Sequence, residues 1–262
     1  MAEWKAFTSL SEEQMQSIWN YDCKDPFAFL GIHPLQTDKG VKTVVRTYQP
    51  HASFVRAESM DGSVEFDFVK LGDSGFYEAV LDMDFEPFQY RLHITLPGGN
   101  IYHILDPYSF LPVLSDFDRY LINAGRHYEL YRKLGANLVT HQGIPGVHFA
   151  VWAPNAKSVA VVGSFNSWDG RRHPMRLLGE SGVWEIFIPE IGENELYRFE
   201  IHGMDGSLHV KIDPLAKLSE VRPATASITT HLDGYEWNDK LYMDTHHATG
   251  VFGAPMNIYE VH

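Results

Sequence analysis

Two stretches of the sequence decide the fold: Tyr90-Arg91-Leu92-His93-Ile94 and Tyr197-Arg198-Phe199-Glu200-Ile201. In each stretch apolar and polar side chains alternate, so that Tyr90, Leu92 and Ile94 share one face of a strand. This alternation is typical of an antiparallel strand with one buried face. Each stretch therefore predicts a half-buried strand, and the second lies 107 positions after the first, residue 197 against residue 90.

The same spacing extends beyond this strand. Gly75-Phe76-Tyr77-Glu78 corresponds to Gly182-Val183-Trp184-Glu185, and Asp106-Pro107 corresponds to Asp213-Pro214. A constant offset with shared glycine and proline punctuation indicates duplicated modules. Each copy contains several short alternating runs separated by turn residues. The sequence predicts a mainly β protein of two tandem immunoglobulin-like β-sandwiches with short linking helices.

Short helices are predicted before and between the two copies. Ser11 with Gln14 forms a capping box for a helix that ends near Tyr21, and Ser115-Asp116-Phe117-Asp118 begins another. A further helical run ends at Gly135. We therefore expect a helix and first sandwich over residues 1–110, a helical linker over 111–140, a second sandwich over 141–236 and a final segment over 237–262.

Composition excludes several classes of partner. The formal charge of −13, from 21 basic and 34 acidic residues, would repel nucleic acid and anionic membranes. No stretch approaches the roughly 20 apolar residues that span a bilayer, and the acidic N-terminus is not typical of a signal peptide. Since Cys23 is the only cysteine, no internal disulfide can form, which indicates a reducing compartment and a cytoplasmic location.

The loop Gly163-Ser164-Phe165-Asn166-Ser167-Trp168-Asp169-Gly170 is the main candidate for function. A tryptophan on a turn can lie flat against a sugar ring while Asn166 reaches its hydroxyls, and Arg198 on a neighbouring strand can add contacts. The alternative is that Phe165 closes the end of the sandwich and Trp168 packs against the inter-domain helix. The corresponding turn of the first copy, Glu58 to Ser63, has no aromatic residue, so only the second module is expected to bind a sugar.

Other candidate chemistry is weaker. The Asp106-Pro107 and Asp213-Pro214 steps occupy the same place in both copies, which suits a turn better than catalysis. The 14 histidines are scattered, and no metal-ligand spacing, phosphate-binding loop or nucleophile elbow occurs. We therefore predict no metal site and no cofactor, and no residue is assigned a catalytic role.

Several motifs together resemble bacterial glycogen branching enzymes, and the resemblance covers nearly the whole chain. The motifs follow in chain order: Asp25-Pro26-Phe27-Ala28-Phe29-Leu30-Gly31-Ile32-His33, Asp106-Pro107-Tyr108-Ser109-Phe110, Val147 to Ala156, Gly163 to Trp168, Arg171-Arg172-His173-Pro174-Met175, Ser181-Gly182-Val183-Trp184-Glu185 and Ile258-Tyr259-Glu260-Val261-His262.

The resemblance implies an N-terminal sandwich followed by a carbohydrate-binding module of family 48, both preceding an α-amylase-type barrel. Enzymes of this family cleave an α-1,4-glucan and reattach the segment through an α-1,6 bond, without a cofactor. Ile258 to His262 resembles the first barrel strand, so the family's catalytic positions lie beyond residue 262. The partners implied are α-1,4-glucan, or glycogen, and the catalytic barrel.

Related family 48 modules stack a sugar on the tryptophan that matches Trp168, and they use a basic residue that matches Arg198. A second tryptophan of those modules aligns with Leu208, which removes one stacking surface. The expectation is weak binding of α-glucan and no catalysis by this chain alone. Two alternatives are open: the modules brace the barrel without touching sugar, or the chain is a free-standing glycogen-binding regulator.

Overall fold

The computed structural model describes residues 8–38, 40–233, 236–246, 255 and 257–261. The chain divides into two compact units, Met1–Thr230 and His231–His262. The described residues of the larger unit form four sheets of antiparallel strands, which confirms the predicted fold class. No helix in this described part is long and apolar enough to cross a membrane.

The first module is a sandwich of two four-stranded sheets. One sheet has the strand order β1-β2-β6-β5 and the other β4-β3-β7-β8. The module consists of α1 (Glu12–Trp19), β1 (Gly31–Thr37), β2 (Gly40–Tyr48), β3 (Phe54–Ser59), β4 (Glu65–Asp67), β5 (Val69–Lys70), β6 (Phe76–Asp84), β7 (Tyr90–Thr95) and β8 (Ile101–Leu105).

The linker and second module follow with the same architecture. One sheet has the order β12-β13-β10-β9, and the other has β11-β14-β17-β16 with β15 also paired to β14. The elements are α2 (Asp116–Asn123), β9 (Gly135–His141), β10 (Ile144–Trp152), β11 (Ala156–Gly163), β12 (Arg176–Leu177), β13 (Val183–Pro189), β14 (Leu196–Gly203), β15 (Leu208–Lys211), β16 (Leu218–Ser219) and β17 (Ser227–Ile228).

The two predicted strands are confirmed as β7 and β14. Tyr90, Leu92 and Ile94 are fully buried between the sheets of the first module. Tyr197 and Phe199 hold the equivalent places in the second core. The alternation seen in the sequence thus sets which face of each strand is buried.

A buried tyrosine–aspartate hydrogen bond is repeated in both modules. The hydroxyl of Tyr90 donates to Asp106 Oδ2 at 2.5 Å, and that of Tyr197 donates to Asp213 Oδ2 at 2.6 Å. Each aspartate also accepts a backbone N–H two residues later, at 3.0 and 2.8 Å. These contacts confirm that the Asp-Pro steps are turns, because each carboxylate fixes a strand end to the neighbouring strand.

A glycine at positive φ is likewise repeated. Gly75 and Gly182 have φ of 83° and 72°, and a Cβ there would lie 3.1 Å from Pro50 Cα and 2.8 Å from Pro154 Cα. The carbonyl of each glycine accepts a 2.8 Å hydrogen bond from the residue before that proline. Only glycine fits this close approach, which explains why it recurs in both copies.

Helix α1 joins the two modules. Its predicted capping box between Ser11 and Gln14 is formed, and its buried residues Met15 and Ile18 belong to a core that contains side chains of both modules. The indole N–H of Trp19 donates to the Ser74 carbonyl at 3.0 Å. Packing of this amphipathic face, more than helix propensity, stabilises so short a helix.

The linker differs in part from its prediction. Helix α2 begins at Asp116, with Ser115 as the N-cap of a capping box, and the predicted second helix is a single 3₁₀ turn, Leu130–Arg132. Gly135 then begins β9, which pairs with β10 along its full length. The second module therefore begins at Gly135 and not at residue 141, because β9 is defined by pairing with β10 and not by a strong pattern of its own.

The smaller unit contains helix α3 (Lys240–His246). The strand predicted over Ile258 to His262 is not formed within the described residues 257–261, and His262 lies outside them. A strand requires hydrogen bonds to a neighbouring strand, which the described residues of this unit do not supply.

The carboxylate of Glu185 on β13 holds the linker against the second module. It is fully buried and accepts backbone N–H groups of Val113 and Leu114 at 3.1 and 3.0 Å. His148 Nε2 and Arg176 Nε donate to the same group at 2.9 and 3.1 Å. Four donors thus compensate for removing this carboxylate from water.

The corresponding position of the first module is also a buried glutamate. Glu78 accepts a 2.9 Å hydrogen bond from Arg46 Nε and a 3.1 Å bond from the backbone N–H of Ser9. In both copies the glutamate therefore fixes the backbone segment that enters its own module. The two copies therefore share a buried glutamate at the same position as well as the same pattern of strands.

Replacing the buried carboxylate should destabilise the chain strongly. Burial by itself would raise the pKa of Glu185, but the hydrogen bond from His148 and the charges of His148 and Arg176 lower it. Glu185→Gln leaves Arg176 buried without a counter-charge, and we expect a loss of about 3–5 kcal/mol in the free energy of unfolding, measured by urea denaturation. Glu190→Gln is the control, because its pair with Arg91 is partly exposed and is worth under about 1 kcal/mol. Equal losses in the two variants would contradict the role of Glu185.

The buried carboxyl group of Asp106 should make the free energy of unfolding decrease as pH rises. Burial raises the pKa of Asp106 from 3.8 to about 6, although Tyr90 and the Tyr108 N–H donate to it. The folded state therefore binds this proton more tightly than the unfolded chain. We expect the contribution of Asp106 to the free energy of unfolding to decrease by about 2 kcal/mol between pH 4 and 6. Urea denaturation across this range should show a smaller decrease for Asp106→Asn, whereas an identical pH dependence would contradict the assignment.

Candidate functional site

The candidate turn lies at the end of β11, beside β14. A 3₁₀ turn, Ser164–Asn166, follows Gly163 directly. Ser167 and Trp168 then both adopt left-handed backbone conformations, with φ of 58° and 61°. Two consecutive left-handed residues other than glycine are unusual and are held only by surrounding contacts.

Asn166 supplies those contacts and does not reach solvent. Its side chain is fully buried, accepts from the Gly163 N–H at 2.9 Å, and donates to the Val161 carbonyl and to His173 Nδ1 at 2.9 and 3.0 Å. Burial lowers the pKa of His173 to about 3, so its neutral ring accepts this bond. The expectation that Asn166 reaches sugar hydroxyls is wrong, because its amide is used to close the turn.

Phe165 and Trp168 have separate roles. The Phe165 ring packs against Phe149 and His173, each with centroids 5.6 Å apart, and it closes the end of the core as the alternative interpretation predicted. Trp168 is 43% exposed, and its backbone N–H donates to Gly163 at 3.1 Å. The turn thus fixes the backbone of Trp168 while leaving much of its indole at the surface.

Arg198 lies next to Trp168, as the predicted site requires. It is directly opposite Val162 on the β11–β14 ladder, and its Cζ is 5.9 Å from the Trp168 ring centroid. Its Nη2 donates to Thr225 Oγ1 at 2.7 Å. Its Nε is buried and has no partner among the described residues. The structure therefore combines an exposed indole face with a cation that is fixed beside it.

Leu208 does not add a second surface to this site. It begins β15 opposite His202, four residues further along β14 than Arg198, and it is 56% exposed. An aliphatic side chain lacks the flat ring face that stacks on a sugar. The candidate site therefore has a single aromatic surface, Trp168.

A second exposed tryptophan was missed by the sequence reasoning. Trp152 ends β10 and is 57% exposed. It borders a cavity of about 570 Å³ between the linker and the outer face of the β10 sheet, which we call the Trp152 groove; Ile122, Leu130, Leu134, Pro154 and Leu215 also line it. Local alternation did not indicate this exposure, because His148 and Ala150, which share the face of Trp152 on β10, are buried.

Among the residues that the structure describes, no group of three histidine, cysteine or acidic side chains is arranged to hold a metal ion. The site consists of an aromatic face, a guanidinium group and a closed turn.

Two family sequence models match the chain, one for each module. Residues 11–108 match "alpha-1,4-glucan branching enzyme GlgB, N-terminal domain". Residues 133–216 match "Carbohydrate-binding module 48 (Isoamylase N-terminal domain)". The second match begins close to Gly135, in agreement with the structural start of the second module.

Curated relatives match over nearly the whole chain. A 1,4-alpha-glucan branching enzyme GlgB of Protochlamydia amoebophila is 42% identical over 98% of this chain and 34% of that protein. The enzyme of the same name from Pseudomonas aeruginosa is 45% identical over 91% of this chain and 32% of that protein. The chain thus spans about one third of the length of these relatives.

Among solved structures, pullulanase type I from Bacillus subtilis complexed with maltose aligns over 80% of this chain and 28% of that chain, with 17% identity and a TM-score of 0.35. This similarity is too low to support an argument about the site. The two family matches and the relatives are consistent with each other in order and extent. The chain belongs to the 1,4-alpha-glucan branching enzyme GlgB family, whose N-terminal region with its family 48 carbohydrate-binding module it represents.

Proposed function

We propose that the second module binds α-1,4-glucan, as in glycogen, and that Trp168 is its stacking surface. The observation that carries this proposal is the exposed indole of Trp168 with the Arg198 guanidinium 5.9 Å from its centroid. A flat apolar face beside a hydrogen-bond donor suits the apolar face and the hydroxyl groups of a glucose ring. With one aromatic surface the affinity for a short oligosaccharide is low.

In this proposal Asn166 is a positioning residue. Its three buried hydrogen bonds close the turn that carries Ser167 and Trp168, so the indole face is presented without rearrangement on binding. Such preorganisation lowers the entropic cost of binding. Arg198 is the one predicted polar contact that remains at the surface of the site, since its side chain is only partly buried.

The relatives supply the wider context of the proposal. They are named 1,4-alpha-glucan branching enzymes and are about three times as long as this chain. We place the chain in glycogen synthesis, where the complete enzyme transfers α-1,4-linked segments to α-1,6 positions. The catalytic barrel that does this, without a cofactor, is the second partner of these modules, and this chain by itself binds glucan without branching it.

We also propose a cytoplasmic location. Cys23 is buried, and burial raises the pKa of its thiol to about 11, so it stays protonated and unreactive at neutral pH. A chain that uses no disulfide is suited to a reducing compartment.

Asn166→Ala should reduce stability and glucan binding together. The substitution leaves Gly163 N–H, Val161 C=O and His173 without their partner, and we expect a loss of about 1–3 kcal/mol in the free energy of unfolding, measured by urea denaturation. Asn155→Ala is the matched control, because Asn155 is exposed. If Asn166→Ala weakened glycogen binding at unchanged stability, the residue would be a ligand contact after all.

Affinity electrophoresis tests the proposed function directly. The chain should be retarded in gels that contain glycogen, relative to an unrelated acidic protein, and Trp168→Ala should reduce this retardation. Tyr128→Ala is the control for loss of an exposed aromatic ring, since Tyr128 is 94% exposed. Equal mobility of the unmodified chain in both gels would reject glucan binding and favour the role of bracing the barrel. Retardation unaffected by Trp168→Ala would reject the assignment of the site.

A further inference from the structure

The Trp152 groove lies at the opposite end of the second module from Trp168. Trp152 comes four residues before β11 begins at Ala156, and the Trp168 turn follows its end at Gly163. The strand between them extends over about 23 Å. Both tryptophans belong to the segment 133–216 that matches the carbohydrate-binding module. One rigid module therefore presents two exposed indoles at its two ends.

The groove has the dimensions of a ligand site. Its volume of about 570 Å³ falls within the roughly 300–1,000 Å³ of small-ligand pockets. Most of its lining is apolar, and it is formed by the outer face of β10 on one side and by Leu130 and Ile122 of the linker on the other. The linker belongs to the same hydrophobic cluster as Ala150 and Val183, so the walls of the groove are fixed by packing.

Some polar groups that line the groove already make hydrogen bonds within the protein, and others do not. Ser181 donates to the Leu178 carbonyl at 2.8 Å, and the Asp213 carboxylate is bonded to Tyr197 and Leu215. The side chains of Asn123 and Trp152 make no hydrogen bond within the part of the chain that the structure describes. An indole N–H and a carboxamide at the rim are therefore available to a ligand that carries hydroxyl groups.

Charge also restricts the ligand. None of the described residues that line the groove is lysine or arginine, and the chain has a formal charge of −13. Phosphates, nucleotides and acidic polymers are therefore disfavoured. A neutral, hydroxyl-rich ligand with an apolar ring face suits both the lining and the charge.

We propose that the Trp152 groove is a second α-glucan-binding site, so that the chain holds one polymer molecule at two points. The ligand class rests on the proposed function of the second module, whereas the site itself is separate from Trp168. A branched polymer offers many chains to one rigid module, so binding at one end raises the effective concentration at the other. Two weak sites then give firm attachment to glycogen while each releases a short oligosaccharide easily.

Fluorine NMR of the unmodified sequence tests this proposal without a destabilising substitution. The chain contains six tryptophans, and 5-fluorotryptophan labelling gives each its own resonance, assigned with Trp→Phe variants. Titration with maltoheptaose should shift the resonances of Trp152 and Trp168 and leave that of the buried Trp184 unchanged. A Trp152 resonance that stays fixed while Trp168 is saturated would overturn the proposal.

Affinity electrophoresis of single and double variants measures the linkage between the sites. Trp152→Ala and Trp168→Ala should each reduce the apparent affinity for glycogen about tenfold or more, since each removes the second attachment. Asn123→Ala should reduce it in the same direction, and Tyr128→Ala should leave it unchanged. Thermal unfolding of each variant confirms that the fold is intact.

The outcomes separate the two proposals. Glycogen retardation unchanged by Trp152→Ala overturns the second site and leaves Trp168 as the glucan contact; the groove then fits an apolar protein segment instead. Loss of retardation in Trp152→Ala alone supports the groove and rejects the Trp168 assignment. If maltoheptaose shifts neither resonance, both sites fail together.

Discussion

The structure of the larger unit depends on the buried carboxylate of Glu185. This group accepts hydrogen bonds from the linker backbone, from His148 on β10 and from Arg176 on β12. Arg176 in turn lies 3.8 Å from the ring centroid of Phe27 in the first module. One charge that cannot be left unpaired therefore fixes the linker, the second sandwich and the contact with the first.

The two modules share their buried polar contacts and close backbone contacts more strictly than their surface residues. Both keep the tyrosine–aspartate bond, the glycine beneath a proline and a buried glutamate that fixes the incoming chain. These features satisfy buried polar groups or close backbone contacts, so they tolerate little change. Other turns at the strand ends differ between the copies, and of the two modules, within their described residues, only the second places exposed tryptophans, Trp152 and Trp168, at strand ends. The glucan contacts that we propose for the second module therefore lie at strand ends, where the two copies differ.

Much of the fold was predictable from residues that are close in sequence. The alternation at Tyr90 and Tyr197 located two strands, and the capping boxes at Ser11 and Ser115 located α1 and α2. The strand β9 was missed, because Gly135 to His141 becomes a strand only by pairing with β10. For the proposed site, the sequence suggested that Trp168 and Arg198 lie close together, and the structure places them 5.9 Å apart. The sequence reasoning misassigned Asn166 and overlooked Trp152, because a turn residue and a strand end show no sign of their burial in the local pattern.

By itself the sequence determined the strand periodicity, the 107-residue repeat and the family. These properties are read from short motifs and from their spacing along the chain, so they need no knowledge of tertiary contacts. The tertiary structure decided which polar side chains remain available. The side chain of Asn166 makes three buried hydrogen bonds, so it is not available to a ligand. Trp152 borders a groove, because residues of the linker line the other side of that cavity. Burial is set by residues that are distant in sequence, so only the folded chain shows which groups can meet a ligand.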